Sequence, residues 1–281
     1  MGRPPLHGSA MSVLVLQALM RIKCHPAFAS SPAIGGPGFA MPRIDQPLII
    51  AVEEATLPRL ADLGIRVEGT VGEGCVIIMD AALPTLDLRC RFGGHADCAA
   101  IIGLGESFSG TLSFTGPHGL FVSAGFGRTG DRSRITVTIE GCCAAYFGRS
   151  VTSVDSEWQV EGDETAPCAI VVGDDAMVAR NVACSNYLGH AVVDIDRLEV
   201  INNPGSVVLG PHCCLEEQAR VLGTVQIGAG SIIGLGSVVT EDIPGYVAAS
   251  GVPAVVLQEG VTWDRRRRPS AADIRAALAT G

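Results

Sequence analysis

The apolar residues in the second half of this chain recur every six positions. From Leu209 the series runs Leu215, Val221, Ile227, Ile233 and Val239, and every member is aliphatic. Four residues after the first five stand Cys213, Ala219, Val225, Ser231 and Ser237, all small. Gly210, Gly228 and Gly234 directly follow three of the aliphatic positions. A step of six matches neither the helical period nor the two-residue period of one long strand. It predicts short strands separated by sharp turns. The aliphatic residue points inward and stacks on its equivalent one coil away. The small residue fills the tight inside corner. Three such strands close a triangular coil, so about eighteen residues make one rung of a parallel β-helix.

The same step fits Val172, Val178 and Cys184, with Ala176, Val182 and Leu188 at the fourth position beyond each. It fits Ile102, Phe108, Phe114 and Leu120 more loosely, since Glu106, Leu112, His118 and Ala124 are not all small. Residues 126–168 keep β-formers such as Ile135, Val137, Trp158 and Val160 but lose strict register, which predicts coils with variable corners. The expected coil therefore spans 66–257. Before it, Pro47 to Val52 reads as a strand, and Leu57, Leu60 and Leu63 read as a short helix. Together they predict a small cap over 46–65. Residues 1–45 show no period and predict an irregular extension. Residues 258–281 form a tail in which Ala271 to Leu278 is helix-compatible. Between Leu188 and Leu209 the register breaks, and 190–206 predicts a loop thrown out of the coil or laid along it. Loops on a regular scaffold are where binding and catalysis usually sit.

Composition agrees with narrow stacked turns, since the chain holds 35 glycines and only 5% aromatic residues. A net charge of −9 argues against non-specific nucleic-acid binding. The basic run Arg265 to Arg268 reads as a solvated turn. The ten cysteines include no Cys-x-x-Cys pair, so zinc and thioredoxin spacings are missing and no metal is expected. Small buried thiols in a reducing, cytoplasmic compartment are the expectation. No stretch of eighteen apolar residues predicts a membrane span. Residues 11–20 are apolar but short. Only Arg3 supplies a basic region before them, which makes a poor secretory signal.

Residues 227–257 read IGAGSIIGLGSVVTEDIPGYVAASGVPAVVL. This resembles the terminal signature of the hexapeptide-repeat acyltransferases, with its Val-Thr-x-Asp-Ile-Pro exit followed by Gly-x-Pro-Ala. SNYLGHAVVDID at 185–196 and VINNPGSVVLGPHCCLEE at 200–217 resemble the sugar and capsular-polysaccharide O-acetyltransferases of that superfamily. The resemblance covers 168–263, is architectural only over 66–167 and is absent over 1–45. It implies an all-β, left-handed parallel β-helix assembled as a homotrimer. It also implies acetyl-CoA as acyl donor, held in a groove between subunits, and a sugar or polysaccharide acceptor.

The family's catalytic histidine falls on His190. An imidazole can take the proton of a sugar hydroxyl as that oxygen attacks a thioester, because its pKa lies near the working pH. Asp194 completes the His-x-x-x-Asp pattern and is the preferred orienting carboxylate, with Asp196 as second candidate. The resemblance assigns Asn186, His212 and Cys214 to the acceptor. It assigns Ala219, Gly234, Ser237, Gly251 and Pro253 to the donor groove. One departure stands out: the family's His-Val-Trp-Leu-Gly is His212-Cys213-Cys214-Leu215-Glu216 here, so Cys214 replaces a tryptophan.

Alternatives remain open at this level. His212 is either an outward corner residue or a substrate contact. Cys214 has no activating base in sequence, and thiol reactivity needs one. A γ-type carbonic anhydrase needs three histidines on zinc, and the spacing of His190 and His212 does not suit it. A non-catalytic scaffold or interaction protein is the reading from another class, since fold does not imply function.

Overall fold

A computed structural model describes residues 16, 20–29, 31–32, 34–127, 133–187 and 189–278. Its strands wind into a solenoid, and as far as Met177–Ser185 strands consecutive in sequence alternate between two sheets. The first sheet has eight strands, ordered Pro47–Ala51, Val76–Asp80, Ala99–Ile102, Leu120–Ser123, Ala144–Phe147, Ala169–Val172, Val207–Leu209 and Gln226–Ile227. The second has twelve, beginning Ile65–Thr70, Asp87–Gly93, Phe108–Phe114, Ser133–Glu140, Thr152–Glu161 and Met177–Ser185. Pairing is parallel except at the two ends. Pro47–Ala51 runs antiparallel to Val76–Asp80, and Val247–Gly251 forms a hairpin with Ala254–Glu259. The architecture is the all-β, left-handed parallel β-helix expected from the sequence.

Register explains where the six-residue period is visible. In the late turns Val208 lies opposite Gln226 and Arg220 opposite Val238, eighteen residues on in each case. In the early turns Ala99 lies opposite Leu120, Leu120 opposite Ala144 and Ala144 opposite Ala169. Those turns are longer and unequal. The strand Met177–Ser185 shows the transition. Its first part pairs with Cys214–Leu215 and its last part with Arg220–Leu222, with Asn181 at φ +57° between them. One turn earlier, in Thr152–Glu161, the same bend is a register shift between Asp155 and Ser156. Sharp left-handed corners impose the hexad, and gradual bends release it.

The strict series Leu209, Leu215, Val221, Ile227, Ile233 and Val239 lines the interior. So do Val172, Val178, Cys184, Ile102, Phe108 and Phe114. Leu120 departs from the expectation. It faces outward into a second apolar cluster, and Phe121 takes the interior place. The turn between Phe114 and Phe121 is one residue longer than a hexad allows. Leu188, the small-position partner expected after Cys184, lies outside the described residues.

The N-terminal segment is irregular in backbone, as expected, yet it is tightly anchored. Ile22, Ala27, Phe39 and Ile44 pack on Ile78, Ile101, Leu120, Val122, Tyr146 and Val171 on the outer side of the first sheet. The Tyr146 hydroxyl donates to the Ala40 carbonyl at 2.6 Å. The Asp80 carboxylate accepts from the backbone N–H groups of Asp45 and Gln46 at 2.5 and 2.8 Å. Four successive strands of this sheet are buried at every position because the coil core covers one face and the segment the other. Burial of each large apolar side chain here contributes about 2 kcal/mol. The apolar run at 11–20, with the secretory-signal reading attached to it, lies almost wholly outside the described residues.

At the start of the coil a short helix, α1 (Leu57–Asp62), buries Leu60 in the interior core with Ile50 and Val52. A second helix, α2 (Ala271–Leu278), ends the described chain. No helix among the described residues is long and apolar enough to cross a membrane. All ten cysteines are free thiols, and every one except Cys24 is buried.

Candidate functional site

Among the described residues the coil is interrupted once by a large insertion. Ile170 pairs with Val207, thirty-seven residues on. The surplus projects as a small hairpin in which Val193–Asp194 runs antiparallel to Glu199–Val200. Asn202 ties its two legs: its Oδ1 accepts from the Val192 N–H at 2.6 Å, and its Nδ2 donates to the His190 carbonyl at 2.8 Å. His190 therefore stands, exposed, at the foot of a hairpin whose backbone is fixed on the opposite leg. Asp194 shapes the tip. Its Oδ1 accepts from the backbone N–H groups of Asp196 and Arg197, both at 2.9 Å. The orienting role expected of Asp194 thus competes with a turn-forming one.

Asn186, expected at the acceptor, is buried among backbone partners. It is 2% exposed, its Oδ1 accepts from the Glu161 N–H at 2.8 Å, and its Nδ2 donates to the carbonyls of Glu161 and Gly205. Its amide clamps both ends of the insertion to the preceding turn. Both N–H donors of this buried amide are thus used on the protein itself.

His212, read in sequence as either a corner residue or a substrate contact, sits at a corner of the coil. It occupies a corner column with Ser150, Asp175, Gly230 and Tyr246, all at positive φ. Its ring is stacked on Trp263 with centroids 4.3 Å apart, and the Trp263 indole N–H donates to the His212 carbonyl at 2.7 Å. The His212 Nδ1 lies 2.8 Å from Asp175 Oδ2, and Nε2 lies 3.0 Å from the Trp263 carbonyl. Arg265 closes the cluster, donating to Asp175 Oδ1 at 2.8 Å and to Thr152 Oγ1 at 2.9 Å. The hydrogen bond with Asp175 raises the His212 pKa, while burial opposes it. Burial pushes Asp175 up, but hydrogen bonds from His212 and Arg265 outweigh that and hold its carboxyl below the ordinary value. This cluster pins the C-terminal tail to the coil. Sequence reasoning missed it because Trp263 and His212 are distant in the chain.

Cys214 is 3% exposed, and burial pushes its thiol up to about 12. A neutral, covered thiol is a poor nucleophile. Cys213 is fully buried at the inside corner, as expected, with its thiol also raised to about 12 by burial. Among the donor-groove residues, Ala219 and Ser237 are internal. The Ser237 hydroxyl lies 3.1 Å from Ser250 Oγ and accepts from the Gly251 N–H at 3.2 Å. These two support the wall rather than line its outside. Gly251 and Pro253 lie on the exposed turn of the terminal hairpin, and Gly234 is partly exposed. A Cβ on Gly234 would come within 2.8 Å of Ser250 Oγ.

Two apolar surfaces flank this region. Ile195, Leu198 and Ile201 on the projecting hairpin are 82%, 82% and 61% exposed. Leu235, Val252 and Leu257 near the terminal hairpin are 66%, 73% and 69% exposed. Clusters of this kind mark contact surfaces. Among the described residues no three His, Cys, Asp or Glu side chains gather as a metal site requires.

The left-handed coil agrees with the architecture that the sequence resemblance implies. The chain is 31% identical over 114 residues to a polysialic acid O-acetyltransferase of Escherichia coli O1:K1 / APEC, covering 41% of this chain and 36% of that protein. It is 34% identical over 90 residues to the galactoside O-acetyltransferase of Escherichia coli strain K12, covering 32% of this chain and 44% of that protein. The aligned part thus spans less than half the length of either curated relative. In fold, the chain matches the crystal structure of the polySia-specific acetyltransferase NeuO with a TM-score of 0.61 at 20% identity, over 77% of this chain and 96% of that one. No family model matches the chain.

Proposed function

We propose that this protein transfers an acetyl group from acetyl-CoA to a hydroxyl of a sugar, in a polysaccharide or glycolipid unit. The observation that carries this reading is the exposed His190 at the foot of the one large insertion, with its backbone carbonyl held by Asn202. The sugar-acetylating relatives support the class of reaction.

In this reading the His190 imidazole accepts the proton of the acceptor hydroxyl. The hydroxyl oxygen forms a bond to the thioester carbonyl carbon, and the carbon–sulfur bond breaks. The imidazolium then returns its proton to the departing thiolate. Asp194, at the hairpin tip, is proposed to favour the tautomer and the imidazolium once the donor and acceptor are bound. Gly234, Gly251 and Pro253 are proposed to flank the donor, with Ala219 and Ser237 bracing the wall from within. The exposed apolar residues of the two hairpins support assembly as a homotrimer, with donor grooves between subunits. Free, buried thiols support a reducing, cytoplasmic setting.

The test is product analysis. Acetyl-CoA and a sugar panel are incubated with the full chain, and mass spectrometry looks for a hydroxyl-linked acetyl group. Acetylated sugar from the parent and none from His190→Ala is the expected result. Equal product from both proteins removes His190 from the chemistry.

A further inference from the structure

Ile65–Thr70, the outermost strand of the second sheet, pairs on one side only, with Asp87–Gly93. Its free side can be read residue by residue. The Gly64 carbonyl accepts from the Leu88 N–H at 2.9 Å, and the Thr70 carbonyl from the Gly94 N–H at 2.6 Å. In a parallel ladder alternate residues turn their N–H and C=O to the same neighbour. The peptide groups of Arg66 and Glu68 therefore go to Asp87–Gly93, and those of Ile65, Val67 and Gly69 point away from the sheet. Peptide groups left in this state are a template for another strand. Charged side chains often guard such an edge. Here Arg66 is paired with Asp87, and Glu68 with Arg89 and Arg91, along the sheet's outer face, so the edge itself is clear.

A groove of about 570 Å³ lies beside this edge. One wall is the edge itself, at Val67, Gly69 and Val71, and the other is the segment from Val52 to Leu57 that leads into α1. Val52, Val67 and Val71 pack on the coil core and give the groove an apolar floor. Leu57, 37% exposed, adds to it. Glu53, Glu54 and Glu73 also line the groove and are exposed. Among the described residues none of the three has an ion-pair partner. Unpaired carboxylates around an apolar floor complement a partner that is both basic and apolar. The end of a solenoid is where a cover is needed, because its last turn has no neighbour to stack on.

We propose that this groove takes an extended basic segment of a partner protein, which adds as a strand to the free edge of Ile65–Thr70. The incoming backbone bonds to the outward N–H and C=O groups of Ile65, Val67 and Gly69. Its apolar side chains turn into the groove, and its lysines or arginines meet Glu54 and Glu73. In strand addition the main chain supplies affinity and the alternate side chains supply specificity. Gly69 stands at φ +84°, so the regular part of the edge is short and the carboxylates carry much of the selectivity. The groove lies five strands along the sheet from Met177–Ser185, about 24 Å at the usual spacing. It is therefore independent of the acetyl-transfer reading.

The probe is a fluorescent peptide of alternating lysine and valine, titrated against the full chain by anisotropy. A glutamate–valine peptide of equal length is the charge control. Two N-methylated forms of the probe, one methylated at every lysine and the other at every valine, are the backbone control. The N–H groups of alternate residues lie on opposite edges of a strand, so only one form can still pair with this edge. The lysine–valine peptide should bind and the glutamate–valine peptide should not. One methylated form should keep the affinity, and the other should lose about tenfold or more. Bound probe should slow amide exchange at Ile65 and Val67. Glu54→Gln/Glu73→Gln removes two exposed charges and should weaken binding about fivefold with little change in melting temperature. Val67→Pro deletes an outward N–H, which the sheet does not use, and should abolish binding. Absence of binding, equal behaviour of the two methylated forms, or equal binding of the acidic peptide would overturn the proposal. So would a free chain whose sedimentation shows an assembly that Val67→Pro takes apart, because a second copy would then hold the edge.

Discussion

His212 stands one turn of the coil from Asp175 at the same corner, with Nδ1 2.8 Å from Asp175 Oδ2 and Nε2 3.0 Å from the Trp263 carbonyl. Both neighbours are acceptors. A neutral imidazole can donate from one nitrogen only, so this geometry calls for the doubly protonated ring. The raised pKa of His212 follows from the same contacts, chiefly the bond with Asp175.

Stability should therefore depend on pH with a defined sign. Because the folded pKa of His212 lies above the ordinary 6.5, its contribution is fully present below that value. It is lost as pH rises through the folded value. Asp175 acts at the other end: its lowered pKa gives a contribution that is present above 3.8 and lost as pH falls through the folded value. Thermal unfolding of the parent should weaken from mildly acidic to mildly alkaline pH, and His212→Gln should lack that slope. Identical profiles would contradict the assignment.

Replacing Asp175 with Asn leaves the guanidinium of Arg265 and the ring of His212 without their shared carboxylate. The carboxylate is partly exposed, so the expected loss is about 2 kcal/mol rather than that of a fully buried pair. Urea unfolding measures it. Trp263 emission should shift red in the variant as the tail loosens, read in a Trp158→Phe background.

Phe39→Ala tests whether the N-terminal segment is part of the fold. Phe39 is 8% exposed against the outer side of the first sheet, so its loss should cost about 3 kcal/mol. Amide exchange should rise in residues 34–44 and at Val122 and Val171 beneath them. A variant as stable as the parent would mean the segment is merely laid on the surface.

Asn202→Ala removes both bonds that tie the hairpin legs. It should lower acetyl transfer by about tenfold through loss of orientation at His190. The melting temperature should hardly change, because the hairpin lies outside the coil core. A drop in stability with activity retained would reverse this division of labour.

The legible parts of the sequence were those governed by local geometry. The late coil could be read directly because sharp corners force an aliphatic residue every six positions from Leu209 to Val239. The insertion could be read as a failure of that rule. Leu120 was misplaced because one extra residue in a turn, before Phe121, shifts the pattern without leaving a mark. The anchored N-terminal segment was hidden by distance, since Tyr146 and Ala40 are far apart in the chain. A signal was nonetheless present: outward positions such as Ile101, Val122 and Val171 are apolar and needed a cover. Asn186 and His212 read as site residues in sequence because they are polar side chains beside the register break. The structure gives both of them backbone or carboxylate partners, and His190 is exposed at the foot of the insertion.

The most direct test of the account is the rate of sugar-dependent coenzyme A release, measured for the parent and for His190→Gln at saturating acetyl-CoA. General-base catalysis predicts a fall in kcat of about 10²–10⁴-fold with little change in melting temperature. A variant that releases coenzyme A at the parental rate, in the presence of a sugar that the parent acetylates, would contradict it.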